Sequence, residues 1–99
     1  MIIYIAGPIT GVENYEENFA KVERELVKEG HVVLNPAVLP QGLGDFKKYM
    51  QIRLPMVEAA DAVVMLPGWK NSLGANREYG YALALEKTIT EVCLLEEPQ

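Results

Sequence analysis

Basic residues are scarce in this chain: 9 Lys and Arg stand against 14 Asp and Glu, for a formal net charge of -5. The few that exist are scattered, which excludes the clustered cationic surface from which duplex binding draws most of its affinity, so no nucleic-acid polymer is expected as a partner. Cysteine is nearly missing. The single one, Cys93, falls in the apolar run Val92-Cys93-Leu94-Leu95, so a disulfide framework is excluded, the thiol reads as buried and inert, and a reducing cytoplasm is the expected setting. Long hydrophobic runs are missing too, and the opening Met1-Ile2-Ile3-Tyr4-Ile5 meets Gly7-Pro8 too soon for a signal peptide, so no membrane partner is expected. No internal repeat or low-complexity segment is visible.

What is present is a chain of 99 residues, 49% hydrophobic, which suits one compact domain over residues 1–99. Ile2 to Ala6 is short, apolar and β-branched, and it reads as a buried strand ending at Gly7-Pro8. From Tyr15 to Glu29, Phe19, Val22 and Leu26 recur at helical spacing, with Gly30 placed as a C-terminal cap. His31 to Leu34 is a second strand, stopped by Asn35-Pro36. A polar loop then leads to a helix that Asp45 can cap, carrying Tyr49, Ile52 and Met56, with a kink or restart expected at Pro55. Ala62 to Leu66 is a third strand, a helix follows Pro67-Gly68, and Ile89 to Leu95 reads as the last strand.

Strand-helix alternation with continuously apolar strands marks an α/β fold: a small doubly wound parallel sheet of flavodoxin or Rossmann type, four strands in the order 2-1-3-4, helices on both faces. In such sheets the ligand crevice lies beyond the carboxyl ends of the strands, where the strand order reverses. Two loops are therefore expected to meet there, Gly7-Pro8-Ile9-Thr10-Gly11 and the segment from Pro67 to Ala75.

The helix of the second loop holds the most informative residue. On a helical wheel Glu78 shares an arc with Ala75, Tyr79, Ala82 and Leu85, opposite Asn76, Arg77, Gly80 and Lys87. An inward carboxylate is costly without hydrogen bonds or a counter-charge, so it points to a function; the alternative is a solvent-facing carboxylate paired with Arg77 or Lys87. Ser72 and Gly74 precede the first free amides of that helix, which suits an anion subsite, or Ser72 is an ordinary N-cap and Gly74 a close-packing residue. Tyr4 either hydrogen-bonds a carboxylate arriving from this helix or is a core tyrosine. Trp69 either stacks on a base or caps the crevice, and His31 lies far from it.

Four segments carry a resemblance: Tyr4-Ile5-Ala6-Gly7-Pro8-Ile9-Thr10-Gly11, Gly30-His31-Val32-Val33-Leu34-Asn35-Pro36, Ala60-Asp61 through Pro67-Gly68-Trp69, and Ser72-Leu73-Gly74-Ala75-Asn76-Arg77-Glu78-Tyr79-Gly80-Tyr81-Ala82. In this order they resemble the nucleoside 2-deoxyribosyltransferase superfamily, most closely a small family of unknown function, common in phages and bacteria, placed within it. The chain is also similar to 2′-deoxynucleoside 5′-phosphate N-hydrolases. The resemblance implies that Glu78 is a catalytic nucleophile toward the anomeric carbon of a 2-deoxyribosyl group and that Tyr4 lies beside it. It further implies that Ser72 holds a 5′-phosphate, that Gly7, Ile9 and Gly11 touch substrate, and that the protein forms a homodimer or larger homo-oligomer. No metal and no organic cofactor is called for.

One position departs from the family. Arg53, in Gln51-Ile52-Arg53-Leu54-Pro55, replaces the aspartate thought to assist departure of the base, and a guanidinium stays protonated near neutral pH. Losing such an acid costs about two to four orders of magnitude in rate. Asp61 is at the opposite end of its strand and orders that turn instead. Arg53 can pair with Glu78 or with a ligand phosphate. Two functions therefore compete: an N-glycosidase or deoxyribosyltransferase acting on a deoxynucleoside or its 5′-monophosphate, and a catalytically impaired protein that binds a nucleotide and leaves it intact.

Overall fold

The apolar stretch Ile2–Ala6 forms the first strand, β1, and sits in the middle of the molecule. In the computed structural model, which describes residues 1–92, it is joined by helix α1 (Tyr15–Lys28), strand β2 (Val32–Leu34), helix α2 (Phe46–Ala59), strand β3 (Ala62–Met65), helix α3 (Leu73–Ala84) and strand β4 (Thr88–Glu91). The sheet is parallel throughout, in the order β2-β1-β3-β4, as the strand-helix alternation predicts.

Because side chains alternate across a strand, each central strand feeds two cores. Ile3 and Ile5 of β1 join Ala62 and Val64 of β3, and against them α1 packs Phe19 and Val22. Tyr4 and Ala6 join Val63 and Met65 on the other face, covered by Val57 of α2 and by Ala75 and Ala82 of α3. Pairing of Tyr4 with Val63 and of Ala6 with Met65 fixes this alternation, since a slip by one residue would exchange the two faces. Tyr4 thus faces the helices that follow β2 and β3.

The helix boundaries follow local chemistry. The α1 helix stops one residue earlier than expected, at Lys28, because Gly30 takes φ +94° and lets His31 N–H return to the Leu26 carbonyl and Gly30 N–H to that of Val27. His31 therefore stays outside β2, its ring 3.2 Å from the Met1 amino group. Asp45 caps α2 by accepting from Lys48 N–H. The expected restart at Pro55 does not occur: the helix runs unbroken from Phe46 to Ala59, with Pro55 and Gln51, the residue whose carbonyl loses its donor, both exposed to water. Ser72 caps α3, which ends at Ala84, so Leu85 leaves the buried arc and is exposed. At the amino edge of the sheet Asp61 accepts from Ile2 N–H at 2.8 Å, the turn-ordering role its position suggested. The last strand covers Thr88–Glu91; Cys93 and the rest of the run to Leu95 lie outside the described residues. No described helix is long and apolar enough to cross a membrane.

Phe19 is fully buried and ties α1 to the sheet. Phe19→Ala is expected to destabilise the fold by about 3–5 kcal/mol, measured by urea unfolding, whereas a change at the exposed Val27 of the same helix is expected to shift stability by about 0.5 kcal/mol or less.

Candidate active site

The two loops expected at the crevice do converge. Leu66 N–H bonds the Ala6 carbonyl at 2.8 Å, extending the β1–β3 pairing to the point where both chains turn away. A Cβ on Gly7 would lie 2.8 Å from the Leu66 side chain, so glycine is what allows this approach. Beyond it Gly11 lies in the turn closed by Val12 N–H to the Ile9 carbonyl.

From α3, Glu78 projects into the even-numbered face of β1 and is 1% exposed. The Tyr4 hydroxyl donates to its Oε2 at 2.7 Å, and a guanidinium nitrogen of Arg53, from α2, is 3.8 Å from the same oxygen. The alternative partners are engaged elsewhere: Arg77 lies over the Phe46 ring and Lys87 donates to the Glu58 carbonyl. Burial pushes the Glu78 carboxyl up from 4.5 to about 7, against the opposing pull of the Tyr4 hydrogen bond and the Arg53 charge. Burial, with the neighbouring Glu78 charge and its hydrogen bond, holds the Tyr4 phenol well above its ordinary value, so Tyr4 stays a donor.

Above this pair opens a cleft of about 430 Å³. Ile9, Arg53, Ser72 and Gly74 line it, together with Thr10. Glu78 and Tyr4 are not part of its wall; they lie beneath Arg53, whose side chain is 11% exposed and whose guanidinium sits 5.3 Å from the centre of the Tyr49 ring. Ser72 Oγ accepts from Ala75 N–H, so it is the helix cap and also faces the cleft. Gly74 leaves room for Arg53: a Cβ there would be 3.3 Å from the guanidinium and 3.4 Å from Phe46. The close approach expected of a ligand at this glycine is already made by the protein's own arginine.

Three expected contacts fall outside the wall. Gly7 is spent on packing against Leu66, Gly11 lies farther along its turn, and Trp69 is buried with its ring stacked on Tyr79 at 4.6 Å, covered by the protein and not free to stack on a base. Conversely, Tyr15, Phe46, Tyr49 and the loop after β2, with Pro36, Leu39 and Gln41, line the cleft without having been singled out. Their signal was available in the topology. The loop after β2 leaves the same carboxyl edge of the sheet as the other two, and Phe46 and Tyr49 stand one helical turn apart.

Among the described residues no group of three His, Cys, Asp or Glu side chains gathers as metal ligands. The sequence model of one family, the Domain of unknown function (DUF4406), matches residues 1–91. The chain belongs to this family. No curated protein matches it. Among solved structures, the fold of this DUF4406 chain is that of a 2-deoxyribosyltransferase from Bacillus psychrosaccharolyticus, with a TM-score of 0.72 and 21% identity over 97% of this chain and 79% of that one. A 2-desoxiribosyltransferase from Leishmania mexicana matches with a TM-score of 0.71 and 25% identity, over 91% of this chain and 62% of that chain. The family resemblance read from the four motifs and the fold it implied are both shown.

The raised carboxyl sets a pH dependence of stability. Unfolded, Glu78 loses its proton near pH 4.5; folded, it keeps it to about pH 7, so across this window the native state binds more protons and loses stability as pH rises. The shift corresponds to about 3 kcal/mol. Glu78→Gln, which keeps an acceptor for Tyr4 without the charge, is expected to match the wild type below pH 4.5 and to exceed its stability by about 3 kcal/mol at pH 8. Unfolding curves across this range check it; a pH-independent difference would contradict the assignment.

Proposed function

We propose that this chain is a nucleoside-processing enzyme, an N-glycosidase or deoxyribosyltransferase acting on a deoxynucleoside or its 5′-monophosphate, with Glu78 as nucleophile and Tyr4 as its orienting partner. The observation that carries the reading is the buried Tyr4–Glu78 hydrogen bond of 2.7 Å placed beneath a cleft at the carboxyl ends of β1 and β3. The fold shared with two 2-deoxyribosyltransferases supports it.

In this mechanism a Glu78 oxygen forms a bond to C1′ as the C1′–N bond breaks, its electron pair leaving with the base. Water, or a second base, then attacks C1′ and releases the carboxylate. Tyr4 fixes the carboxylate orientation through Oε2 and remains protonated throughout. Ile9, Ser72, Gly74 and Arg53 contact the substrate from the cleft wall, while Gly7, Gly11 and Trp69 shape the loops behind it. Arg53 supplies no proton to the departing base, so the base takes its proton from solvent, and the chemical step is slower by about two to four orders of magnitude than with an acid in place. A cytoplasmic homodimer or larger homo-oligomer belongs to the same reading.

The position of Arg53 favours a second reading: a guanidinium lying over the carboxylate suits a protein that binds a nucleotide and leaves it intact. The two are separated by incubating the protein with a panel of 2′-deoxynucleosides and their 5′-monophosphates. Under the enzyme reading, free base is released, Glu78→Ala abolishes that release, and the rate falls as pH drops through about 7 because the nucleophile must be ionised. Ligand recovered intact across the panel would overturn the enzyme reading in favour of the binding one.

A further inference from the structure

Arg53 is held by weak arrangements on every side. Its contact to Glu78 Oε2 is 3.8 Å, longer than a hydrogen bond, and among the described residues its buried Nε has no hydrogen-bond partner. Against the Tyr49 face, 5.3 Å away, it gains a cation–π attraction that satisfies none of its N–H groups. A guanidinium offers five donors in a rigid fork, and leaving one buried and unpaired carries a desolvation cost. The same side chain lines the cleft beside Ser72 and lies against Gly74 at the start of α3, whose positive end favours an anion although Ser72 Oγ already takes the Ala75 N–H. One cation therefore stands between an internal carboxylate below and the open cleft above, beside the N-terminus of α3.

We propose that Arg53 is a latch that makes this cleft selective for a nucleoside 5′-monophosphate: with the cleft empty it lies over Glu78, and a ligand phosphate draws it away, pairing with its fork and uncovering the carboxylate. A neutral nucleoside offers nothing to compete with Glu78, so it meets the closed form. The proposal rests on the enzyme reading only in taking Glu78 as the group to be uncovered; the preference for a phosphorylated ligand stands by itself. It also assigns a use to a residue that, as a replacement for an acid, would otherwise simply be a loss.

The test is calorimetric titration of the full chain and of Arg53→Gln and Arg53→Lys with a 2′-deoxynucleoside, its 5′-monophosphate and inorganic phosphate, with base release followed in the same samples. The wild type is expected to bind the monophosphate at least about tenfold more tightly than the nucleoside, the worth of one charge-assisted hydrogen bond. In Arg53→Gln the ratio is expected to fall to about one, and in Arg53→Lys, which keeps the charge without the fork, to an intermediate value. The latch is overturned if the wild-type ratio is already near one, if it survives in Arg53→Gln, or if inorganic phosphate binds as tightly as the monophosphate. A wild-type ratio near one settles the matter even if Arg53→Gln does not fold. Selective binding without base release would support the latch and defeat the enzyme reading; base release with no preference for phosphate would do the reverse.

Discussion

Withdrawing the carboxylate of Glu78 from water is the constraint around which this fold is arranged. An ionised group at 1% exposure stays in place only if its surroundings offset the lost hydration. Here the offset comes from two directions: the phenol of Tyr4 from the central strand, at 2.7 Å, and the charge of Arg53 from α2, at 3.8 Å. The offset is partial, which is why the carboxyl titrates near 7, at the boundary where both protonation states are populated at neutral pH. Each contributor depends on the topology, because β1 must be flanked by β3 for α3 to lie over its even-numbered face.

The same geometry explains the small residues around the site. Gly7 allows the turns leaving β1 and β3 to touch, and Gly74 gives the guanidinium of Arg53 space against the first turn of α3. Family membership and a fold shared with 2-deoxyribosyltransferases describe the frame. Within that frame Arg53 places a cation 3.8 Å from the carboxylate.

Much of this was legible in the amino-acid order because the signals are local and periodic. The continuous apolar runs of β1 and β3, the caps Asp45 and Ser72, and the inward phase of Glu78 each follow from spacing, and the strand order follows from the alternation of elements. Places where the reading failed depend on contacts between distant segments. Trp69 was left between stacking on a base and capping the crevice, and Tyr79 of α3 occupies its face. At Pro55 a kink or a restart was expected, and α2 does not restart: it continues through the proline, whose exposed position leaves the freed Gln51 carbonyl to water. The loop after β2 leaves the same carboxyl edge of the sheet as the two loops expected at the crevice, but that it and Tyr49 reach the cleft wall is set by tertiary packing.

The most direct test of the buried-carboxylate account is a titration of the Glu78 side-chain carboxyl by ¹³C NMR in the full chain. The account requires a midpoint near 7, moving upward in Tyr4→Phe as the stabilising donor is lost. A midpoint at the ordinary 4.5, unchanged in Tyr4→Phe, would mean that the group is hydrated and unbonded, and the site described here would not exist.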